Sequence, residues 1–299
     1  MIKDFKDLIE KAKMLDKFTV CVAGAEDEEV LRAIKLAMDL GFIKPILVGN
    51  KDKIKDLAKM LDLKDYEIVH AISPEESALE AVKIVSSGRA SVLMKGYVNT
   101  SIYLRAVLNK EFGLRTGRLL SLLAAYEIPQ YHKLLYCTDS GVNPNPNLDQ
   151  KKDILTNSLL ALEGFGLSMP KVAALTGNEM VDPKIQSTVD ADVLVKMVEK
   201  GEIKECIIEG PIAFDVAFDK EAAIHKGIDS KVSADVDLLL FPNMETGNAL
   251  GKSWLLWNKA KWAGIILGAS SPVVLGSRSD TAEIKVNSIA LACLASNIK

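Results

Sequence analysis

The stretch FTVCVAGA, residues 18–25, decides the fold class of this 299-residue chain. It is a short apolar run typical of a buried strand, and residues 26–40 follow it with apolar residues at helical spacing. The same alternation continues to residue 94, which predicts a mostly parallel sheet covered by helices. Further strands are expected at residues 45–49, 66–71 and 90–94, with helices at residues 51–61 and from Pro74, which Ser73 would cap.

A turn-rich segment, residues 137–146 (CTDSGVNPNP), interrupts this alternation. A long helical pattern over residues 149–165 follows it, and the alternation then resumes up to a final helix from Thr281. The chain is long enough for one large domain or for two of ordinary size. Strands in this second half are expected at residues 172–175, 206–209, 237–241, 263–267 and 272–275.

The composition narrows the possible partners. A net charge of −3 lacks the basic stripe of a nucleic-acid-binding protein, and no apolar run reaches the ~20 residues that cross a membrane. The N-terminus has no signal-peptide core, and the four cysteines show neither metal-ligand nor disulfide spacing. We therefore expect a cytoplasmic protein with reduced, buried cysteines, which binds no nucleic acid, membrane or metal. An anionic ligand would be held locally, by a few basic side chains and backbone amides.

In open parallel sheets ligands bind beyond the carboxyl ends of the strands, so the strand-to-helix loops are the candidate sites. The first such loop, residues 95–101, begins with Lys95 and opens the helix that carries Arg105. Thr100 or Ser101 would cap this helix while its free amides face an anion. Without a ligand, the same residues would form an ordinary connection with a surface lysine.

Two further loops carry weaker signals. Residues 139–146, which include Asn143, alternate asparagine with proline and should form a stiff, polar loop. A rigid connection without a ligand is the simpler explanation for it. Residues 176–179, with Lys184 beyond them, place more polar groups at a strand end.

Residues 277–281 (SRSDT) give the strongest local signal. Hydroxyls, an arginine and a carboxylate cluster here between a strand and a helix N-terminus. Asp280 or Thr281 would suit the N-cap, with Glu283 near the third helical position, so capping is a sufficient structural role for the acidic residue. Arg278 has no such explanation, because the helix dipole disfavours a cation at this end. A bound anion would reverse that effect.

Structural roles suffice for the other polar and aromatic candidates. The three histidines lack metal spacing, and Trp254, Trp257 and Trp262 are expected to pack rather than to stack on a nucleobase. No GxGxxG motif follows the first strand, and Glu26 and Asp27 stand where dinucleotide phosphates would bind. Rossmann-type NAD binding is therefore not expected.

Five motifs occur in order over nearly the whole chain: MKGYVNT (94–100), NPNP (143–146), EGPIAFD (209–215), ADVDLLL (234–240) with ETGN (245–248), and SRSD (277–280). Each motif is weak alone. Taken together, they resemble the phosphate acetyl/butyryltransferase family, and its butyryltransferase branch most of all.

The resemblance implies a fold like that of the isocitrate/isopropylmalate dehydrogenases, with two three-layer α/β domains and an active site in the cleft between them. Residues 131–269 would form an inserted second domain, and residues 1–130 and 270–299 the first. It also implies direct acyl transfer between coenzyme A and phosphate, with neither a covalent enzyme intermediate nor a cofactor. We expect a homo-oligomer of two or more copies.

The resemblance also suggests roles for particular residues. Arg278 matches the family's phosphate-binding arginine and Ser277 its neighbouring hydroxyl, while Arg105 matches a second substrate-binding arginine. The remaining candidates for substrate binding are Lys95, Thr100, Asn143, Lys184 and Asn248.

The general base stays open, because Ile284 stands where the acetyltransferase branch keeps an aspartate. Asp280 and Glu283 are the nearby carboxylates, and Asp280 is preferred. Three other functions stay possible on this pattern: phosphate acetyltransfer, a metal- and NAD-dependent dehydrogenase, and a non-catalytic protein that binds coenzyme A or acyl phosphate.

Overall fold

The structure is a computed structural model that describes residues 2–276 and 280–297. The chain divides into two compact units. The terminal unit joins Ile2–Arg118 to Ala263–Asn297, and the central unit is Leu119–Trp262.

Strands and helices alternate along the described chain, so the predicted α/β class is confirmed. The strands are β1 (Phe18–Ala23), β2 (Ile43–Gly49), β3 (Glu67–His70), β4 (Val92–Lys95), β5 (Ser121–Glu127), β6 (Leu135–Thr138), β7 (Lys171–Leu175), β8 (Ile207–Ile212), β9 (Leu238–Leu240), β10 (Lys261–Leu267) and β11 (Val273–Val274). The helices are α1 (Phe5–Lys13), α2 (Glu28–Asp39), α3 (Lys51–Met60), α4 (Pro74–Ser86), α5 (Thr100–Val107), α6 (Leu148–Gly164), α7 (Gln186–Glu199), α8 (Phe214–Phe218), α9 (Lys220–His225), α10 (Met244–Trp257) and α11 (Ala282–Ala295).

The sheet of the terminal unit has the order β3-β2-β1-β4-β11-β10. Its strands are parallel except for β10, which runs antiparallel to β11. The chain passes outward from β1 to β3 and then returns to place β4 on the other side of β1. The order therefore reverses between β1 and β4, the kind of position where open α/β sheets bind ligands. Helices α2 and α11 pack together, and so do α4 and α5.

The predicted helix start at Ser73 is confirmed. The Glu76 N–H donates to the Ser73 hydroxyl (3.1 Å), and Pro74 occupies the first helical position. Proline is well suited to that position because it lacks the amide that the helix would leave unpaired. The helix follows β3 and crosses back toward β4, so this cap helps to set the strand reversal.

The sheet of the central unit has the order β5-β6-β9-β7-β8. Only the pair β5–β6 is antiparallel within it. Its core includes Cys137, Leu239, Phe241 and Trp254, which are buried together. The strand β5 was not predicted from the sequence. The predicted domain boundaries near residues 130 and 270 stay a prediction.

The structure also shows the state of the cysteines and the character of the helices. All four cysteines are buried free thiols, as predicted. Within residues 2–276 and 280–297, no helix combines the length and the apolar character needed to cross a membrane.

Candidate active site

The carboxyl ends of β1, β4 and β11 lie side by side in the terminal unit. Ala23 pairs with Lys95, and Val274 pairs with Met94, in parallel register. The loops that leave these strands therefore emerge at one edge of the sheet, which we call the switch edge. The predicted loop that begins with Lys95 belongs to it, and Asp280 lies on the connection from β11 to α11.

The loops after β1 and β4 touch through their backbones. The Gly96 N–H donates to the Ala23 carbonyl (2.8 Å), and the Tyr97 N–H donates to the Gly24 carbonyl (2.6 Å). Gly24 has a φ of +69°, and a Cβ there would lie 2.6 Å from a Val98 methyl carbon. Side chains at either glycine would force these loops apart, so the sequence fixes their close approach by omitting them.

Lys95 is the last residue of β4, and its side chain is buried. The ammonium donates to the carbonyls of Gly96 and Val98, at 3.3 Å each. These contacts brace the loop that Lys95 precedes and hold a positive charge at the switch edge. This position is compatible with the predicted role of Lys95 in substrate binding, which stays a prediction.

The N-cap of α5 differs from the prediction. Asn99 caps the helix, since its side-chain oxygen accepts from the Ser101 N–H (2.9 Å), so the expectation of Thr100 or Ser101 was wrong. Asparagine is as good an N-cap as serine, and the backbone turns into the helix one residue earlier. Thr100 is exposed at the first helical position, whereas Arg105 is exposed in the last turn, about 7 Å further along the axis.

The N-cap of α11 is Thr281, whose hydroxyl accepts from the Ile284 N–H (3.3 Å). Of the two predicted caps, Asp280 is therefore not the one used, and capping no longer accounts for this carboxylate. Asp280 is only 9% exposed, whereas Glu283 is exposed in the first turn of α11. The predicted roles of Ser277 and Arg278 fall on residues outside the described part of the chain.

The central unit gathers two of its three predicted residues at its own strand ends. The amide of Asn143 donates to an Asp139 carboxylate oxygen (2.6 Å) and to the Leu120 carbonyl (2.9 Å). Both contacts stabilise the loop after β6. Because they use the amide nitrogen of Asn143, a contact between Asn143 and substrate would involve its side-chain oxygen. The exposed Asn248 donates to the Ser140 carbonyl of the same loop (3.4 Å).

The third residue, Lys184, lies on the loop between β7 and α7. Its backbone N–H donates to the Asp182 carboxylate (2.9 Å), and its side chain is exposed. No hydrogen bond described for this chain joins Lys184 to Asn143 or Asn248. Its predicted contact with substrate stays a prediction.

Sequence reasoning missed Lys285, which is buried on α11. Its ammonium donates to the carbonyl of Asp280, at the switch edge. A signal was available, because Lys285 introduces a charge into a helix whose residues from 285 to 295 are otherwise mostly apolar and are all buried.

The three tryptophans differ in burial, and the polar side chains were also compared with metal-binding arrangements. Trp254 is buried against Tyr126 (ring centroids 5.1 Å apart) and Trp262 is partly buried, but Trp257 is 82% exposed. The packing prediction is therefore wrong for Trp257, which is the last residue of α10 and points away from the core. Across residues 2–276 and 280–297, no group of three or more His, Cys, Asp or Glu side chains is arranged to hold a metal ion.

Comparison with known proteins agrees with the resemblance noted in the sequence. Residues 65–293 match the phosphate acetyl/butaryl transferase family. The phosphate butyryltransferase of Clostridium acetobutylicum is 44% identical over 301 residues, covering 100% of both chains. The phosphate acetyltransferase of Thermotoga maritima is 37% identical, covering 96% of this chain and 98% of its own.

A solved structure leads to the same family. The branched-chain phosphotransacylase from Enterococcus faecalis V583 superimposes with a TM-score of 0.83 at 30% identity, covering 94% of this chain and 100% of its own. The match in sequence and the match in fold each extend over nearly the whole chain. This chain therefore belongs to the phosphate acetyl/butaryl transferase family.

Proposed function

We propose that this protein transfers a short-chain acyl group, butyryl or similar, between coenzyme A and inorganic phosphate. One observation carries the proposal: the chain matches a phosphate butyryltransferase along the full length of both proteins at 44% identity. Acetyl transfer is the second candidate, and it has the lower support of 37% identity to a phosphate acetyltransferase.

The reaction exchanges one acyl–heteroatom bond for another. In one direction a phosphate oxygen attacks the thioester carbonyl carbon, an oxyanion forms, and the carbon–sulfur bond breaks to release the coenzyme A thiolate. In the other direction the thiolate attacks the acyl phosphate and phosphate leaves. Such a reaction needs a bound phosphate, donors for the oxyanion, and help in ionising a thiol whose ordinary pKa is ~8.5.

The proposal gives these tasks to named residues. We assign phosphate binding to Arg278, because a guanidinium matches phosphate oxygens with two parallel donors, and to the hydroxyl of Ser277. Lys95 and the amides at the start of α5 supply further positive potential. Asp280 is the preferred general base since it is buried just before α11 without serving as the helix cap, and Glu283 is the alternative.

Five further features belong to the proposal. Acyl transfer proceeds directly between the substrates, which accords with cysteines that are all buried. The protein uses no cofactor beyond its substrates. The fold is of the isocitrate/isopropylmalate dehydrogenase type, and the protein works as a homo-oligomer in the cytoplasm.

The deciding experiment is a panel of acyl-CoA thioesters, from acetyl to hexanoyl, assayed for thiol release with and without phosphate. We expect release only with phosphate, fastest for butyryl-CoA or a neighbour of similar size. Thiol release at the same rate without phosphate, or no thiol release from any thioester of the panel, would refute acyl transfer to phosphate. Binding of coenzyme A by calorimetry without any turnover would instead favour a non-catalytic protein.

The assignment of Arg278 has its own test. Arg278→Ala should lose about 2–4 kcal/mol of transition-state stabilisation, seen as a drop in kcat/KM. Arg89→Ala is the matched control, because Arg89 is an exposed arginine paired with Glu67 (2.6 Å) at the amino ends of the strands. Equal activity in the two variants would remove Arg278 from the site.

A further inference from the structure

The side chain of Asn143, on the loop after β6, has one hydrogen-bonding group that the protein does not use. The side chain is 9% exposed, and its nitrogen donates to an Asp139 carboxylate oxygen (2.6 Å) and to the Leu120 carbonyl (2.9 Å). An amide nitrogen carries two hydrogens, so both of its donors are occupied. Among residues 2–276 and 280–297, no described hydrogen bond reaches the side-chain oxygen. Asn143 can therefore offer a ligand an acceptor but no donor.

The orientation of this amide follows from the chemistry of its partners. A carboxylate and a carbonyl only accept hydrogen bonds, so exchanging the nitrogen and oxygen of Asn143 would place an oxygen against both of them. Asp139 is itself held in place, because the N–H groups of Gly141 (2.8 Å) and Val142 (3.0 Å) donate to its other carboxylate oxygen. The free oxygen of Asn143 is therefore fixed in a single orientation.

The charge beside Asn143 narrows the kind of group that this oxygen can accept. Asp139 is 3% exposed, and in the described part of the chain no basic side chain lies at ion-pair distance from it. The buried Asp190, by contrast, is paired with Lys151 at 2.7 Å. The uncompensated carboxylate repels an anion such as phosphate. It also polarises the amide that donates to it, which makes the free oxygen a stronger acceptor for a neutral donor.

Of the two substrates in the proposed reaction, only coenzyme A carries neutral amide donors. Phosphate and acyl phosphate are anions without N–H groups, whereas the pantetheine arm of coenzyme A has two amides. We propose that Asn143 is a substrate-binding residue whose side-chain oxygen accepts an amide N–H of this arm, and that Asp139 is the residue that positions it. The inference rests on the proposed function, in which coenzyme A is a substrate. It assigns the arm of coenzyme A, rather than phosphate, to the loop after β6.

The test removes the two sides of this hydrogen bond separately and together. Coenzyme A is compared with two analogues, each of which has one amide of the arm replaced by an ester, and Kd is measured by calorimetry. For the wild type we expect one ester to bind about 5- to 10-fold more weakly than coenzyme A, the effect of losing one hydrogen bond. Asn143→Ala should bind coenzyme A about 5- to 10-fold more weakly and no longer distinguish it from that ester, while its KM for phosphate stays unchanged.

Two further variants separate recognition from support of the fold. Asn143→Leu fills the space of the asparagine without its polar atoms and should behave as Asn143→Ala. Asn157→Ala is the matched control, because the Asn157 amide is also buried and donates to the Leu119 carbonyl (2.8 Å) and the Ser121 hydroxyl (3.1 Å). It should lower Tm and keep the wild-type preference for coenzyme A over the ester.

The outcomes distinguish this inference from the proposed function. An active wild type that binds coenzyme A and both esters equally would refute the role of Asn143 alone. The same conclusion would follow if Asn143→Ala weakened coenzyme A and the ester by one common factor, the result expected of a merely structural residue, or if it raised the KM for phosphate. A wild type that prefers coenzyme A to one ester but transfers no acyl group would refute only the proposed function.

Discussion

Gly96 lies so close to Gly24 that a Cβ on Gly96 would be 2.2 Å from the Gly24 carbonyl oxygen. The opposing atoms are all backbone: the Gly24 carbonyl carbon at 2.9 Å and the Ala23 carbonyl oxygen at 3.0 Å complete the contact. Neither strand can yield easily, because β1 and β4 are paired in parallel register up to this point. The contact thus fixes the loop of Lys95 against the loop of β1.

Gly96→Ala should therefore damage activity more than stability. The loop has to shift, and a displacement of about 1 Å at a substrate-positioning element can cost about 100-fold in kcat/KM. Steady-state kinetics and thermal melts on the same preparation would measure the two effects. Gly88→Ala is the control, because Gly88 has a φ of +79° but no atoms within 4 Å of an added Cβ. This variant should be about 1 kcal/mol less stable than the wild type and fully active. Similar kinetics in the two variants would contradict a positioning role for Gly96.

The start of α11 allows capping to be separated from catalysis. Thr281→Ala removes the N-cap hydrogen bond and should cost about 1 kcal/mol of stability, with kcat nearly unchanged. Asp280→Asn keeps the shape of a side chain that does not cap the helix, and should lower kcat about 100-fold or more if Asp280 is the base. A wild-type kcat in Asp280→Asn would transfer the role to Glu283 or show that no base is needed.

The alternation of apolar runs and helical patterns was enough to predict the strands of the terminal unit and the class of the fold. The strand β5 escaped because its sequence, SLLAAYE, is rich in leucine, alanine and glutamate, which favour helices in isolation. It forms a strand because it pairs with β6 on a buried sheet, a tertiary contact that local propensity does not contain. The predicted N-cap of α5, Thr100 or Ser101, lay one or two residues too late, because Asn99 is as suitable a cap as serine and the sequence does not choose between them.

The sequence was enough to predict which loops carry candidate residues, but not how buried those side chains are or which groups they contact. Lys95 was identified because it ends a strand, and Asp280 because it precedes a helix. Lys285 was missed because a lysine in a helix is usually exposed, and only packing against β4 and β11 reveals that this one is buried. Asn143 illustrates the opposite case: its amide donors, which looked available, serve Asp139 and Leu120. Burial and pairing arise from the assembled fold, so a single sequence does not display them.

The cysteines should take no part in catalysis. Burial raises the pKa of all four thiols, for Cys206 to about 12, so the reactive thiolate is scarce at neutral pH. The native enzyme should therefore keep its activity in iodoacetamide at pH 7.5, and mass spectrometry should find no alkylated cysteine. The same treatment in 8 M urea, a concentration on the order of those that unfold most domains, should label all four. Rapid inactivation with one labelled thiol would contradict direct transfer between the substrates.

The pair formed by Lys151 and Asp190 should stabilise the central unit only while both partners are present. Their side chains are buried and 2.7 Å apart, and Gln186 donates to the second carboxylate oxygen of Asp190 (2.8 Å). Lys151→Met would strand a buried carboxylate and should cost about 3–5 kcal/mol, whereas the double variant Lys151→Met/Asp190→Leu should recover most of this loss.

Urea unfolding followed by tryptophan fluorescence would measure these changes, because all three tryptophans lie in the central unit. Lys196 and Asp192 form a second ion pair on α7, the helix that carries Asp190. Their charged atoms are also 2.7 Å apart, but the lysine side chain is 57% exposed. Lys196→Met should cost only about 0.3–0.5 kcal/mol, since water competes for an exposed ion pair. Equal losses at Lys151 and Lys196, or additive losses in the double variant, would show that burial does not set the energy of the Lys151–Asp190 pair.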